Sequence, residues 1–179
     1  MNWTDQQAYY GLVSRSFHWG MALLLGWQFA GALSRKFFED TALEGFFWST
    51  HRSVGVVVFA LVILRGVWAL AQRSHRPASV HWLALTGQIT LYLLTFLVPL
   101  IALLRQYGSG RAFEPFGIPV FSGWPGEGIN WMVALGGLLH GELAYVLLAL
   151  ILGHVGMAVW HRQSSSQLDV LPRMWGRVD

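Results

Sequence analysis

Four long apolar stretches, separated by shorter polar segments, set the pattern of this chain. The first runs from Phe17 to about Leu33 without a formal charge, and the second, Ser53 to Ala71, is interrupted only by Arg65. The third, Trp82 to Leu104, carries no charge, and the fourth, Trp131 to Trp160, contains only Glu142. Each is long enough to cross a hydrocarbon core of about 30 Å as a helix, the first being the shortest. Trp19, Trp48, Trp68, Trp82, Trp131 and Trp160 fall near the ends, where interfacial anchors belong. The pattern predicts an all-α membrane protein: a four-transmembrane-helix up-down-up-down bundle, one domain over 1–179, with spans at about 14–34, 51–71, 82–105 and 131–161.

Composition agrees. The 179 residues are 54% hydrophobic and 12% charged, against about 25% charged in a soluble domain. No cysteine is present, which excludes disulfides, iron–sulfur ligation and thiolate metal sites. The net charge of +3, spread over several loops, gives no reason to expect nucleic-acid binding. Ala30-Gly31-Ala32 resembles a signal-peptidase site after an apolar run. A polar lead containing Asp5, and His, Trp and Gln within the run, favour a retained span.

With four spans, both termini and the middle loop share one side. That side holds Arg15, Arg65, Arg73, Arg76, Arg162, Arg173 and Arg177; the other holds Arg35, Lys36, Arg52, Arg105 and Arg111. The bias of basic residues places both termini in the cytoplasm.

The fourth stretch carries the chemistry. His140 and His154 lie fourteen residues apart, which returns a helix to within about 40° of the same face after a rise of roughly 21 Å. Ionisable groups inside a bilayer are costly and by default mark function. His18 opens the first span and His51 the second, so matching depths pairs His18 with His154 near the cytoplasm and His51 with His140 near the outer face. Zinc would want four ligands, and neither pair has an obvious third or fourth. Haem iron needs only two axial ligands, and its flat macrocycle calls for small neighbours. Gly136, Gly137 and Gly141 surround His140, Gly153 and Gly156 flank His154, Gly20 follows His18 and Gly55 lies one turn beyond His51.

Arg65 stands fourteen residues after His51, level with the inner pair, without an acidic residue nearby in the spans. It, Arg15 and Arg52 are candidate partners of haem propionates; snorkelling to the interface is the bland alternative for Arg65. His161, seven residues after His154, and Arg76 are candidates for a quinone site, His161 as a proton-handling group. Bis-histidine iron has no open position, which argues for electron transfer over oxygen chemistry. Phe113, Phe116, Phe121 and Trp124 of the second outer loop are placed to cover the outer haem.

These residues resemble the bacterial cytochrome b561 family over about Ser14 to Met174. Arg15-Ser16-Phe17-His18-Trp19, His51 followed by Leu64-Arg65, Tyr92 with Val98-Pro99, Phe116-Gly117 with Pro119, and the His140/His154 pair carry the resemblance. It implies a four-helix bundle with two b-type haems, ligated by His18, His51, His140 and His154, exchanging electrons with ubiquinone near the cytoplasmic side. One branch of that family oxidises superoxide at the outer face. In that branch a histidine can stand at the position of Gln88, after a lysine-bearing linker that here reads Ser74-His75-Arg76-Pro77. The expected function is movement of electrons across the membrane between an outer-face donor, superoxide or a redox protein, and the quinone pool. The alternatives are a haem-bearing anchor subunit relaying electrons for a separate dehydrogenase or hydrogenase, and a non-redox metal-binding or transport protein.

Overall fold

The computed structural model describes residues 2–165 and 168–175. Among them every regular element is helical: α1 (Leu12–Phe37), α2 (Ala42–Trp48), α3 (His51–Ala71), α4 (Trp82–Gly108), α5 (Asn130–Gln163) and α6 (Pro172–Trp175), with a 3-10 turn at Pro115–Gly117. Arg177, counted in the charge bias, lies outside the described residues.

Three stretches are long and apolar enough to cross a membrane: Ala42–Ala71, Trp82–Gly108 and Asn130–Gln163. The expected first span is the exception. α1 is long enough, about 39 Å at 1.5 Å per residue, but it is the least apolar of the long helices, with Arg15 near one end and Arg35 and Lys36 at the other. Large apolar side chains stand open on the outer helix faces, Leu23 being 76% exposed and Leu138 70%, which suits lipid rather than water.

A polar device unseen in the sequence pattern closes the turn between α1 and α3. Thr41 caps α2 by accepting from the Glu44 backbone N–H at 3.3 Å, and the Glu44 carboxylate reaches back to Arg35 (2.7 Å) and to the Asp40 N–H (3.1 Å). This is a capping-box arrangement with a guanidinium added. Thr50, just before α3, accepts from the Trp27 indole at 2.8 Å, which ties α3's first turn to α1.

Consecutive long helices pack on one another: α1 on α3, α3 on α4, α4 on α5. The closest pair is α4 with α5, centred on Leu94, Val98 and Leu147 with Leu143 and Ile151 around them. Gly136 lets the two helices meet, for a Cβ there would collide with the Arg105 side chain near its base. Gly136→Ala should therefore lower the thermal midpoint of the detergent-solubilised protein by the equivalent of about 1–3 kcal/mol of overpacking; an unchanged midpoint would show the contact to be slack. By contrast, α5 makes no comparable approach to α1 or α3. Their backbones stand apart across a slot, into which Phe29 of α1 packs against the Leu94, Val98 and Leu147 cluster.

Candidate cofactor site

The slot is bridged by histidine rings. His18 of α1 and His154 of α5 have ring centroids 6.3 Å apart with planes at 68°. His51, the first residue of α3, and His140 of α5 repeat the separation, 6.3 Å at 86°. The two pairs are the ones that depth matching gives, and the fourteen residues between His140 and His154 set them about 21 Å apart along α5.

Each ring is held by its own surroundings. The His140 Nδ1 meets the Val98 carbonyl at 3.0 Å; a carbonyl only accepts, so Nδ1 carries the proton and Nε2 keeps its lone pair. That carbonyl lies directly before Pro99, whose missing N–H and ring disturb the ladder of α4. His51 stacks on Trp48 at 4.5 Å and 24°, and its Nδ1 is buried without a hydrogen-bond partner among the described residues. Gly31 of α1 packs beside it: a Cβ there would stand 3.7 Å from that nitrogen, in ordinary van der Waals contact.

The inner pair is set differently. Arg65 approaches the His18 Nδ1 at 3.2 Å, and a guanidinium only donates, so here Nδ1 accepts and the proton of the neutral ring is on Nε2. The Arg65 guanidinium also lies over Tyr92, 5.1 Å from the ring centroid, and no carboxylate pairs with it among the described residues. Its side chain is thus turned inward, onto His18, rather than out to the interface.

The other candidate residues fall at the two ends. Arg52 is exposed beside His51. Arg15 donates to the Trp175 carbonyl at 2.8 Å, while its Nε is buried and has no hydrogen-bond partner among the described residues. Arg76 reaches Asp5 at 3.3 Å and covers Tyr10 at 5.0 Å. Burial pushes the Tyr10 phenol up from its ordinary pKa of 10.0, with Arg76 opposing. His161 Nδ1 meets the Leu168 carbonyl at 3.2 Å, so Arg76 and His161 each face a partner of their own. In the outer loop Phe113 is buried and bridged to Phe121, whereas Phe116 is 64% exposed.

A bis-histidine metal fits these pairs. Two nitrogens each about 2 Å from a shared metal put the ring centroids roughly 6 Å apart, close to the 6.3 Å found twice. Gly20, Gly137, Gly141, Gly153 and Gly156 have open space where a Cβ would stand, so a broad flat group meets no side chain there. Among the described residues no three of His, Cys, Asp and Glu gather to hold an ion, which leaves a tetrahedral zinc site short of ligands.

The family model for prokaryotic cytochrome b561 matches residues 9–177. The chain belongs to the prokaryotic cytochrome b561 family. Cytochrome b561 homolog 2 of Escherichia coli strain K12 is 25% identical over 188 residues, covering 99% of this chain and 96% of that protein. Family membership makes the chain a bacterial membrane cytochrome of b type that works in electron transfer.

The sequence did not point to Trp48, the Val98 carbonyl or Gly31 as neighbours of the histidines. Pro99 is no signal for Val98, because the carbonyl that it leaves without a helical donor is that of Thr95, four residues earlier. Gly31 acts through tertiary packing, whereas Trp48 is a local neighbour, three residues before His51.

Proposed function

We propose that this cytochrome holds two b haems, one between His18 and His154 and one between His51 and His140, in a single four-span domain with both termini cytoplasmic. The observation that carries this reading is the repeated ring separation of 6.3 Å at two levels of one helix. The haems supply reversible one-electron redox chemistry, and the protein's part is to hold and tune them. His140, with its proton fixed on Nδ1 by Val98, presents Nε2 as a ligand in the manner usual for metal-bound histidine. Arg65 is the cation nearest the inner pair, and a haem carboxylate would draw it off His18 Nδ1, freeing that ring to take the same tautomer. Arg15 and Arg52 serve similarly at the inner and outer ends.

Electrons then pass between an outer-face donor and ubiquinone at the cytoplasmic side of the bacterial inner membrane, where Arg76 and His161 stand. Arg52, Arg105 and Arg111 are all exposed at the outer end, and such charges draw small anions; superoxide is the donor this favours. Purified protein should show b-type bands in reduced-minus-oxidised spectra and about two haems per chain on pyridine extraction, since each site takes one macrocycle with two axial ligands. A colourless protein loaded with zinc would end the reading. Superoxide-driven reduction of a soluble quinone analogue separates an oxidase from a relay subunit.

A further inference from the structure

A buried carboxylate lies beneath the inner histidine pair, in the segment that reads as a plain polar lead. Asp5 is 1% exposed. Its two oxygens accept from the Gly11 N–H and the Ser14 hydroxyl, both at 2.9 Å, and Arg76 approaches at 3.3 Å. Ser14 in turn accepts from the Trp68 indole at 2.9 Å. One carboxylate therefore joins four parts of the chain: the N-terminal segment, the first turn of α1, the end of α3 and the α3–α4 linker. Gly11 allows it, because the Thr4 backbone comes too near that position for any side chain.

Burying a charge is expensive unless it is paired and hydrogen-bonded, and a loop anchor could be made more cheaply from neutral groups. The location gives the charge another use. Ser14 and His18 are four residues apart on α1, one above the other on one face, and Trp68 lies three residues after Arg65 on α3. The knot fixes the turns that carry both residues meeting at His18 Nδ1. At this end Arg15 and Arg173 donate to the backbone carbonyls of Trp175 and Ala78, and the more exposed Asp169 pairs with Arg162, so among the described residues Asp5 is the buried carboxylate beside these cations.

We propose that Asp5 is a positioning and charge-balancing residue of the inner site: paired with Arg76, it fixes the first turn of α1 under His18 and offsets the positive charge crowded there. The inference rests on the proposal of haem at His18 and His154. An electron added to the inner site is a negative charge, so the Asp5 carboxylate disfavours reduction and Arg76 favours it. At an effective dielectric near 20 a unit charge changes such an equilibrium about tenfold from anywhere within about 12 Å, and tenfold is 59 mV for one electron.

The test is a redox titration of full-length protein in detergent, with His154→Ala used to assign the inner haem's bands. Asp5→Asn keeps the shape and should raise the inner midpoint by about that amount while the outer midpoint stays put. Arg76→Gln should lower it, and the double variant should return toward the wild-type value. Ser14→Ala removes one contact of Asp5 without removing charge and should shift the midpoint far less. If Asp5→Asn loses its haems, Arg76→Gln and the double variant carry the test. Equal shifts of both haems, no shift in either charge variant, or a Ser14→Ala shift as large as that of Asp5→Asn would overturn the proposal, whatever happens to thermal stability. Wild-type protein without two haems would instead overturn the haem reading beneath it.

Discussion

Replacing His154 by alanine should remove one haem of two and leave the bands of the other intact. The reason is geometric. His154 faces His18 across the slot and His140 faces His51, with no side chain shared between the pairs. About 21 Å of α5 separates the two levels. Each single alanine variant should therefore yield about one haem per chain where wild type yields two. The spectra should fall into two classes: His18→Ala with His154→Ala, and His51→Ala with His140→Ala. His18→Ala combined with His140→Ala should give a colourless protein, whereas His18→Ala combined with His154→Ala should keep one haem. Alanine leaves only a small void at a ring that already lines an open slot, so the bundle itself should persist, as circular dichroism can check. If His51→Ala removed the haem that His18→Ala removes, the assignment by pairs would fall.

The four histidines were legible because helix geometry is rigid. Fourteen residues on one apolar helix fix both a face and a depth, and entry direction fixes the depth of His18 and His51 in turn. The start of α3 at His51 and its end at Ala71 were legible for the same reason, a continuous apolar run between polar segments. What the sequence hid depends on residues far apart in the chain. Asp5 reads as an unremarkable polar residue until Arg76, seventy-one positions later, is folded against it. The level of Arg65 beside the inner pair follows from depth, yet the group it meets, His18 Nδ1, follows from how α3 is rotated against α1, and periodicity does not set that rotation. α1 shows the opposite limit. It is a continuous helix of 26 residues, but charges at its ends and His, Trp and Gln within it keep its apolar signal below that of the other three long segments.

Gly137→Leu should leave the fold intact and exclude the outer haem. Two adjacent glycines of α5 make the case. Gly136 is buried against Arg105, so its missing side chain serves contact between α4 and α5. Gly137, one turn before His140, is exposed and has no atom within 4 Å of where its Cβ would stand. Glycine in a helix interior costs about 0.5–1 kcal/mol relative to alanine, and helix packing explains that cost at Gly136 but not at Gly137. A flat group lying beside His140 explains it. Leucine at 137 meets no protein atom at its Cβ and improves helix propensity, so the haem-free chain should be at least as stable as wild type. The same side chain would occupy the space of the macrocycle. Overpacking of this kind costs about 1–3 kcal/mol, which weakens haem binding by roughly 5–150-fold. The measurement is haem content after purification in dilute detergent, followed by titration with free haem. The bands lost should be those lost in His140→Ala, with the His18/His154 haem retained. Full retention of both haems in Gly137→Leu would mean that the open face of α5 belongs to lipid or to another helix, and that the macrocycle lies elsewhere in the slot.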